Sequence, residues 1–269
     1  MRVLVTNDDG ITSAGLRPLT DALREAGHSV LAVVPFDDRS GTGTALGITP
    51  GVPVRVTPVC EEPGLRVLGL EGSPSQAVLL ARTGAFGVMP QIVLSGVNAG
   101  ANTGRSVLHS GTVGAALAAS SLGLSGLAVS VAAAEPRHWD TAARVAVDCL
   151  EWVRGARRRT VLNVNVPDLP PTRIRGVRYG RLAAYGPTAL EAVPQEGAVV
   201  LREVPQPLPL DPETDIALVM DGWVTTTLLD PLTGVPARDA REKLASLRIR
   251  DVRAEEDACA DEEKEEPAG

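Results

Sequence analysis

The chain is 269 residues long, with 44% hydrophobic residues, only 3% aromatic residues and a formal net charge of −7. That length makes one large domain or two small ones, with an interior built from Val, Leu and Ala. Eight acidic residues against two basic ones fall within 253–269, so the rest is close to neutral, near −1, and no basic face for nucleic acid is implied.

Met1 leads directly into a strand with no signal-type apolar segment, and no apolar run reaches the roughly 18 residues of a spanning helix. A cytoplasmic protein with no membrane partner is expected. RVLVTN (2–7) is a short β-branched run of the kind buried on both faces of a parallel sheet. SAGLRPLTDALREAG (13–27) puts Leu16, Leu19, Leu23 and Ala26 at helical spacing, with Ser13 as the predicted cap and Gly27 as the stop. SVLAVVP (29–35) is a second buried strand, and this strand–helix–strand order predicts a right-handed βαβ unit. FDDRSGTGTALGITPG (36–51) follows as a long Gly/Ser/Thr loop, of a length that compact domains usually keep for function. VPVRVTPV and LRVLGL (65–70) read as the two strands of a hairpin. SPSQAVLLARTGAF (73–86) reads as a helix, with Ser73 as cap, Pro74 at its first position and Gln76 closing a capping box.

QIVLSG (91–96) is a further buried strand, VNAGANTGRSVLHSGT (97–112) a glycine-rich polar loop, and VGAALAASSLG (113–123) a helix of small residues. GLAVSVA, WDTAARVAVDCLEWVRG (139–155) and TVLNVNVP (160–167) add a strand, a helix and a strand, completing an α/β core over 1–167. After Pro167 prolines multiply, and 168–235 reads as β-rich extensions suited to oligomerisation. Within them DIALVMDGWVTTTLLD (215–230) is predicted to be a β-hairpin turning at Asp221–Gly222. A C-terminal helix and a disordered acidic tail are expected over 236–269. The three cysteines, Cys60, Cys149 and Cys259, form no CxxC pair and fit reduced thiols better than a zinc site or a disulfide framework. The only lysines are Lys243 and Lys264, so no lysine chemistry is available to residues 1–242.

In an open parallel sheet, ligands bind beyond the carboxyl ends of the strands. Three polar loops leave such ends: NDDG after the first strand, DDRSGTG after the second, and SGVNAGANTG after the 91–96 strand. Asp8 and Asp9 repel each other at a strand end unless a cation joins them. With Ser40 and Asn98 arriving as further oxygen donors, the set suits one hard divalent ion, Mg²⁺ or Mn²⁺. Downstream, SGT (110–112) opens a helix whose unpaired N–H groups make an anion site. Asn98, Asn102, Ser110 and Thr112 are the candidate phosphate donors beside it.

NDDGI, RSG (39–41), GSP (72–74), SGVNAGAN (95–102), SGTVGAAL (110–117), LNVNVP (162–167) and TDIALVMDGWVTTTLL (214–229) together resemble the stationary-phase survival protein SurE family over about residues 1–230. The resemblance implies a Rossmann-like three-layer αβα sandwich with a mostly parallel sheet and C-terminal β-hairpin extensions, assembled as a dimer or tetramer. It implies a divalent-metal-dependent 5′(3′)-nucleotidase that hydrolyses nucleoside monophosphates and in some members short polyphosphate. Carried over by position, the metal ligands are Asp8, Asp9, Ser40 and Asn98, and the phosphate contacts Asn102, Ser110, Gly111 and Thr112. Two positions depart from the family pattern: His109 stands where Tyr is usual, and Ala118 where an acidic residue is common. They bear on nucleoside preference and subunit packing rather than on the metal.

Phosphomonoester hydrolysis needs an activated water and neutralised phosphoryl charge. Asp8 or Asp9 is the candidate base, with Asn102 and Ser110 holding phosphoryl oxygens. His109, a lone histidine beside a helix start, is assigned to loop hydrogen bonding before acid catalysis. Two alternatives remain open at this point. A haloacid-dehalogenase-type phosphatase also places Asp after strand 1, but needs Asp-x-Asp. A degenerate homologue would bind the nucleotide without turning it over.

Overall fold

The computed structural model describes residues 1–186, 188–206 and 209–230. The expected C-terminal helix and acidic tail over 236–269 lie outside the described residues. Eleven strands are present among the described residues: β1 (Arg2–Thr6), β2 (Ser29–Pro35), β3 (Val56–Glu62), β4 (Leu65–Leu70), β5 (Ile92–Ala99), β6 (Ser125–Val131), β7 (Val161–Val166), β8 (Val177–Tyr179), β9 (Thr188–Gln195), β10 (Ala198–Pro205) and β11 (Val224–Leu229). Nine of them form one sheet in the order β3-β4-β2-β1-β5-β6-β7-β11-β8, while β9 and β10 form a separate antiparallel pair. The six strands from β4 to β7 in that order are mutually parallel, and β3 and β11 run antiparallel to their neighbours β4 and β7.

Helices cover both faces, which is why the parallel strands are near-continuous apolar runs. Val3 and Val5 face α1 (Leu16–Glu25) and α4 (Trp139–Gly155) in one core; Leu4 faces α2 (Pro74–Arg82) and α3 (Gly111–Ser121) in the other. Leu4, Leu94 and Leu127 are wholly enclosed, each contributing about 1.5–3 kcal/mol of burial. The small residues Ala115, Ala116 and Ala119 let α3 lie close on β5 and β6.

The crossover through α1 carries the chain from β1 to β2 on one side, and the later crossover through α2 brings it back to β5 on the other. The order therefore reverses between β1 and β5. A crevice opens there beyond the carboxyl ends, the usual ligand position of an open α/β sheet.

Several local expectations need correction. Gly15, not Ser13, is the N-cap of α1; the Ser13 hydroxyl accepts from the Gly15 N–H at 3.3 Å, two residues too early to cap. The helix predicted over 113–123 starts at Gly111, because Ser110 Oγ caps it by accepting from Val113 N at 3.1 Å. β5 runs on to Ala99 through a bulge between Ser95 and Asn98. A Cβ on Gly96 would stand 2.3 Å from the Val129 carbonyl oxygen, so only glycine admits this bulge beside β6.

The DIALVM segment is not a strand but the helix α5 (Asp215–Met220). The Asp221–Gly222 pair that suggested a hairpin turn ends this helix instead. Gly222 N donates to the Val219 carbonyl and Trp223 N to the Leu218 carbonyl, with Gly222 at φ +86. That pattern is a Schellman stop. β11 then pairs with β7 and β8 rather than with a hairpin partner.

Candidate metal and phosphate site

NDDG forms a closed turn at the end of β1. Buried Asn7 donates from Nδ2 to the Gly10 carbonyl at 3.0 Å and accepts the Gly10 N–H on Oδ1 at 3.2 Å. This grip sends the two adjacent carboxylates into different surroundings. Asp8, 3% exposed, lies under the first turn of α3, where its Oδ1 accepts a short hydrogen bond from the Thr112 hydroxyl. A Cβ on Gly111 would come within 2.8 Å of Asp8 Oδ2, so the approach of helix to carboxylate depends on glycine. Burial lifts the Asp8 carboxyl above its ordinary value, while the Thr112 hydroxyl and the backbone N–H groups of Thr112 and Gly111 pull it back.

Asp9 has less support. Burial, followed by repulsion from Asp8, pushes its carboxyl up to about 7; the Ala99 N–H lowers it and Asp38 raises it further. Its Oδ2 is enclosed and has no hydrogen-bond partner. Ser40 arrives on the loop after β2, tied to the site because Arg39 N donates to the Asp8 carbonyl at 2.7 Å. Ser40 N donates to Asp38 Oδ1 at 2.7 Å, and hydrogen bonds from Ser40, side chain before backbone, hold the Asp38 carboxyl below its usual value. Asn98, 9% exposed at the bulged end of β5, spends its Nδ2 on the Ala99 and Gly100 carbonyls at 3.0 and 2.8 Å. Its Oδ1 is left as the acceptor available to a ligand.

These residues fit a hard divalent ion. The donor set is all oxygen, with two carboxylates, an amide carbonyl and a hydroxyl. An enclosed, partnerless carboxylate oxygen beside a second buried carboxylate is costly unless a cation neutralises it.

The candidate phosphate donors, on the loop after β5 and at the start of α3, are unequally free. Ser110 Oγ accepts from Val113 N, which leaves the hydroxyl proton free to donate outward. Thr112 has given its proton to Asp8, and the first N–H groups of α3 lean on the Asp8 carboxylate. The anion site read from SGT is therefore occupied in part by the protein's own Asp8. Asn102 donates from Nδ2 to Ser130 Oγ at 2.8 Å and keeps one amide proton and its Oδ1. His109 is exposed, and its carbonyl accepts from Gly43 N at 3.0 Å, docking the loop after β2 onto the start of α3.

Sequence reasoning missed the support behind this rim. Asp38 adds a third acidic group near Asp9 and was passed over inside DDRSGTG. Asn163 and Asn165 on β7 and Asp215 on α5, all 0% exposed, hold the 102–104 segment. The signal was available in LNVNVP, where two asparagines interrupt an otherwise apolar strand.

A protein-family model described as survival protein SurE matches residues 3–186. The 5′-nucleotidase SurE of Stenotrophomonas maltophilia (strain R551-3) is 42% identical over 186 residues, covering 68% of this chain and 70% of that protein. The 5′-nucleotidase SurE of Nitratidesulfovibrio vulgaris (strain DP4) is 38% identical over 236 residues, covering 85% of this chain and 93% of that protein. Among solved structures, the crystal structure of SurE protein from Aquifex aeolicus aligns with a TM-score of 0.77 at 27% identity, over 91% of this chain and 100% of that one.

Proposed function

From the premise that this chain belongs to the survival protein SurE family, we propose that it is a nucleotidase hydrolysing nucleoside monophosphates to nucleoside and phosphate at the β1–β5 crevice. The observation that carries the site assignment is the enclosed, partnerless Asp9 Oδ2 beside buried Asp8. Asp8, Asp9, Ser40 and Asn98 would hold one Mg²⁺ or Mn²⁺ ion. Bound there, such an ion supplies charge neutralisation and a bound water of lowered pKa.

The protein's own groups divide the remaining work. Asp8 is held in place by Thr112 and the N–H groups of α3, which offset part of the upward push that burial gives its carboxyl. Asp9 Oδ2, with no competing donor, would be the oxygen left to the ion, and Asp8 or Asp9 accepts the proton of the attacking water. The water oxygen bonds to phosphorus as the ester P–O bond breaks, and the departing nucleoside oxygen takes a proton from solvent. Asn102 and Ser110 donate to the phosphoryl oxygens and hold them in line, each such donor being worth about 3–4 kcal/mol of barrier.

The chain acts as a homo-oligomer, dimer or tetramer, on this reading. Support comes from the β9–β10 pair, which stands apart from the main sheet with Leu190, Val199 and Leu201 exposed. A cytoplasmic setting agrees with the free thiols Cys60 and Cys149. The deciding experiment is phosphate release from a panel of nucleoside monophosphates with Mg²⁺, with Mn²⁺ and with chelator. Release should need the metal; release untouched by chelation would overturn the metal assignment.

A further inference from the structure

Every buried backbone polar group must find a partner, and the stretch after β5 finds its partners in an unusual place. Gly100 N is the last group to join the sheet directly, donating to the Val131 carbonyl at 3.0 Å. Beyond it, Asn102 N donates to Asn165 Oδ1 at 2.8 Å, and the Asn102 carbonyl accepts from Asn165 Nδ2 at 2.9 Å and from Asn163 Nδ2 at 2.8 Å. Gly104 N donates to Asp215 Oδ2 at 2.7 Å. Asp215 Oδ1 meanwhile accepts from Ala183 N at 3.1 Å and Ile216 N at 2.9 Å, so this carboxylate is itself immobilised. The segment that presents Asn102 thus hangs from side chains of β7 and α5.

Asn165 is central because both ends of its amide are used on one residue. It reads the N–H and the carbonyl of Asn102 together, a two-point clasp that sets both distance and orientation. The retention of polar groups here is itself costly. Asn163 Oδ1 is buried without a partner, as is Thr225 Oγ1 on the neighbouring strand β11. Leaving such a group unpaired costs about 1–3 kcal/mol, and an apolar residue at Asn163, like its strand neighbours Leu162 and Val164, would avoid it.

We propose that Asn165, backed by Asn163, is a positioning residue that fixes Asn102 for phosphoryl transfer without touching substrate or metal. The inference rests on the nucleotidase reading. Reacting groups must be held to within a fraction of an ångström, and support of this kind is typically worth about 10–100-fold.

The test is Asn165→Asp, which conserves size and the acceptor for Asn102 N–H but sets a carboxylate oxygen against the Asn102 carbonyl. With Mn²⁺ and a nucleoside monophosphate, kcat should fall about 10–100-fold while KM moves about threefold or less. Amide hydrogen exchange should accelerate within residues 100–105 and stay as in the parent elsewhere. Unchanged exchange in 100–105, unchanged kcat, or acceleration spread evenly over the chain would each overturn the proposal. A parent protein that releases no phosphate would sink the nucleotidase reading alone, because the exchange comparison still decides the clasp. If Asn165→Asp fails to fold, Asn163→Leu removes the second donor to the Asn102 carbonyl together with the partnerless Asn163 Oδ1, and must show the same kcat-weighted loss with faster exchange in 100–105.

Discussion

Asp9→Asn offers the sharpest perturbation of the site. In the metal-free protein the Asp9 carboxyl is pushed up to about 7 from 3.8, first by burial and then by repulsion from Asp8. A folded-state value above the unfolded one means that the fold favours the protonated form. The metal-free protein is therefore most stable below pH 3.8 with respect to this group, and loses that stability as pH rises through about 7. A shift of this size corresponds to ~4 kcal/mol if the charge were cut off from water; Asp9 is only half-buried, and solvent screening brings the figure to about 1–2 kcal/mol. Asparagine removes the charge and keeps the shape. In chelator near pH 8 the variant should melt about 2–8 °C above the parent, and near pH 5 the gap should shrink by about half or more. Added Mn²⁺ should raise the parent's melting temperature and leave the variant's nearly unchanged, with phosphate release lost. A variant less stable than the parent in chelator near pH 8, or one stabilised by Mn²⁺ as much as the parent, would refute the reasoning.

Gly111→Ala places a methyl group 2.8 Å from Asp8 Oδ2, so it should cut turnover at least about tenfold, as displaced catalytic groups do, while circular dichroism stays unchanged. Thr112→Val leaves Asp8 Oδ1 without its hydroxyl donor; it should cost about 1–3 kcal/mol in denaturant unfolding and weaken Mn²⁺ affinity measured by calorimetry. Replacing Leu190, Val199 and Leu201 on the β9–β10 pair with Ser should lower the mass seen by light scattering, with melting of the main sheet preserved.

The layered fold was legible because its strands are buried on both faces and its helices show clean spacing; Leu16, Leu19 and Leu23 fall where the periodicity puts them. The crevice was legible for the same reason, since strand order and polar loops mark the carboxyl ends. What escaped were short segments whose pattern is shared by two structures. DIALVM is six residues long, too short for periodicity to separate helix from strand, and its DG stop serves a Schellman end as well as a hairpin turn. The division of labour in SGT was hidden too. Sequence places donors at a helix start but not the carboxylate beneath them, and the structure gives Thr112 to Asp8. Likewise, the Asn163–Asn165 clasp joins positions about sixty residues distant in sequence, which no local pattern connects to Asn102.

Anomalous scattering from a crystal of the full chain soaked in Mn²⁺ addresses the metal directly. The expected result is one peak within bonding distance of oxygens from Asp8, Asp9, Ser40 and Asn98. No peak in that crevice, or a manganese ion held elsewhere while turnover persists, would contradict it.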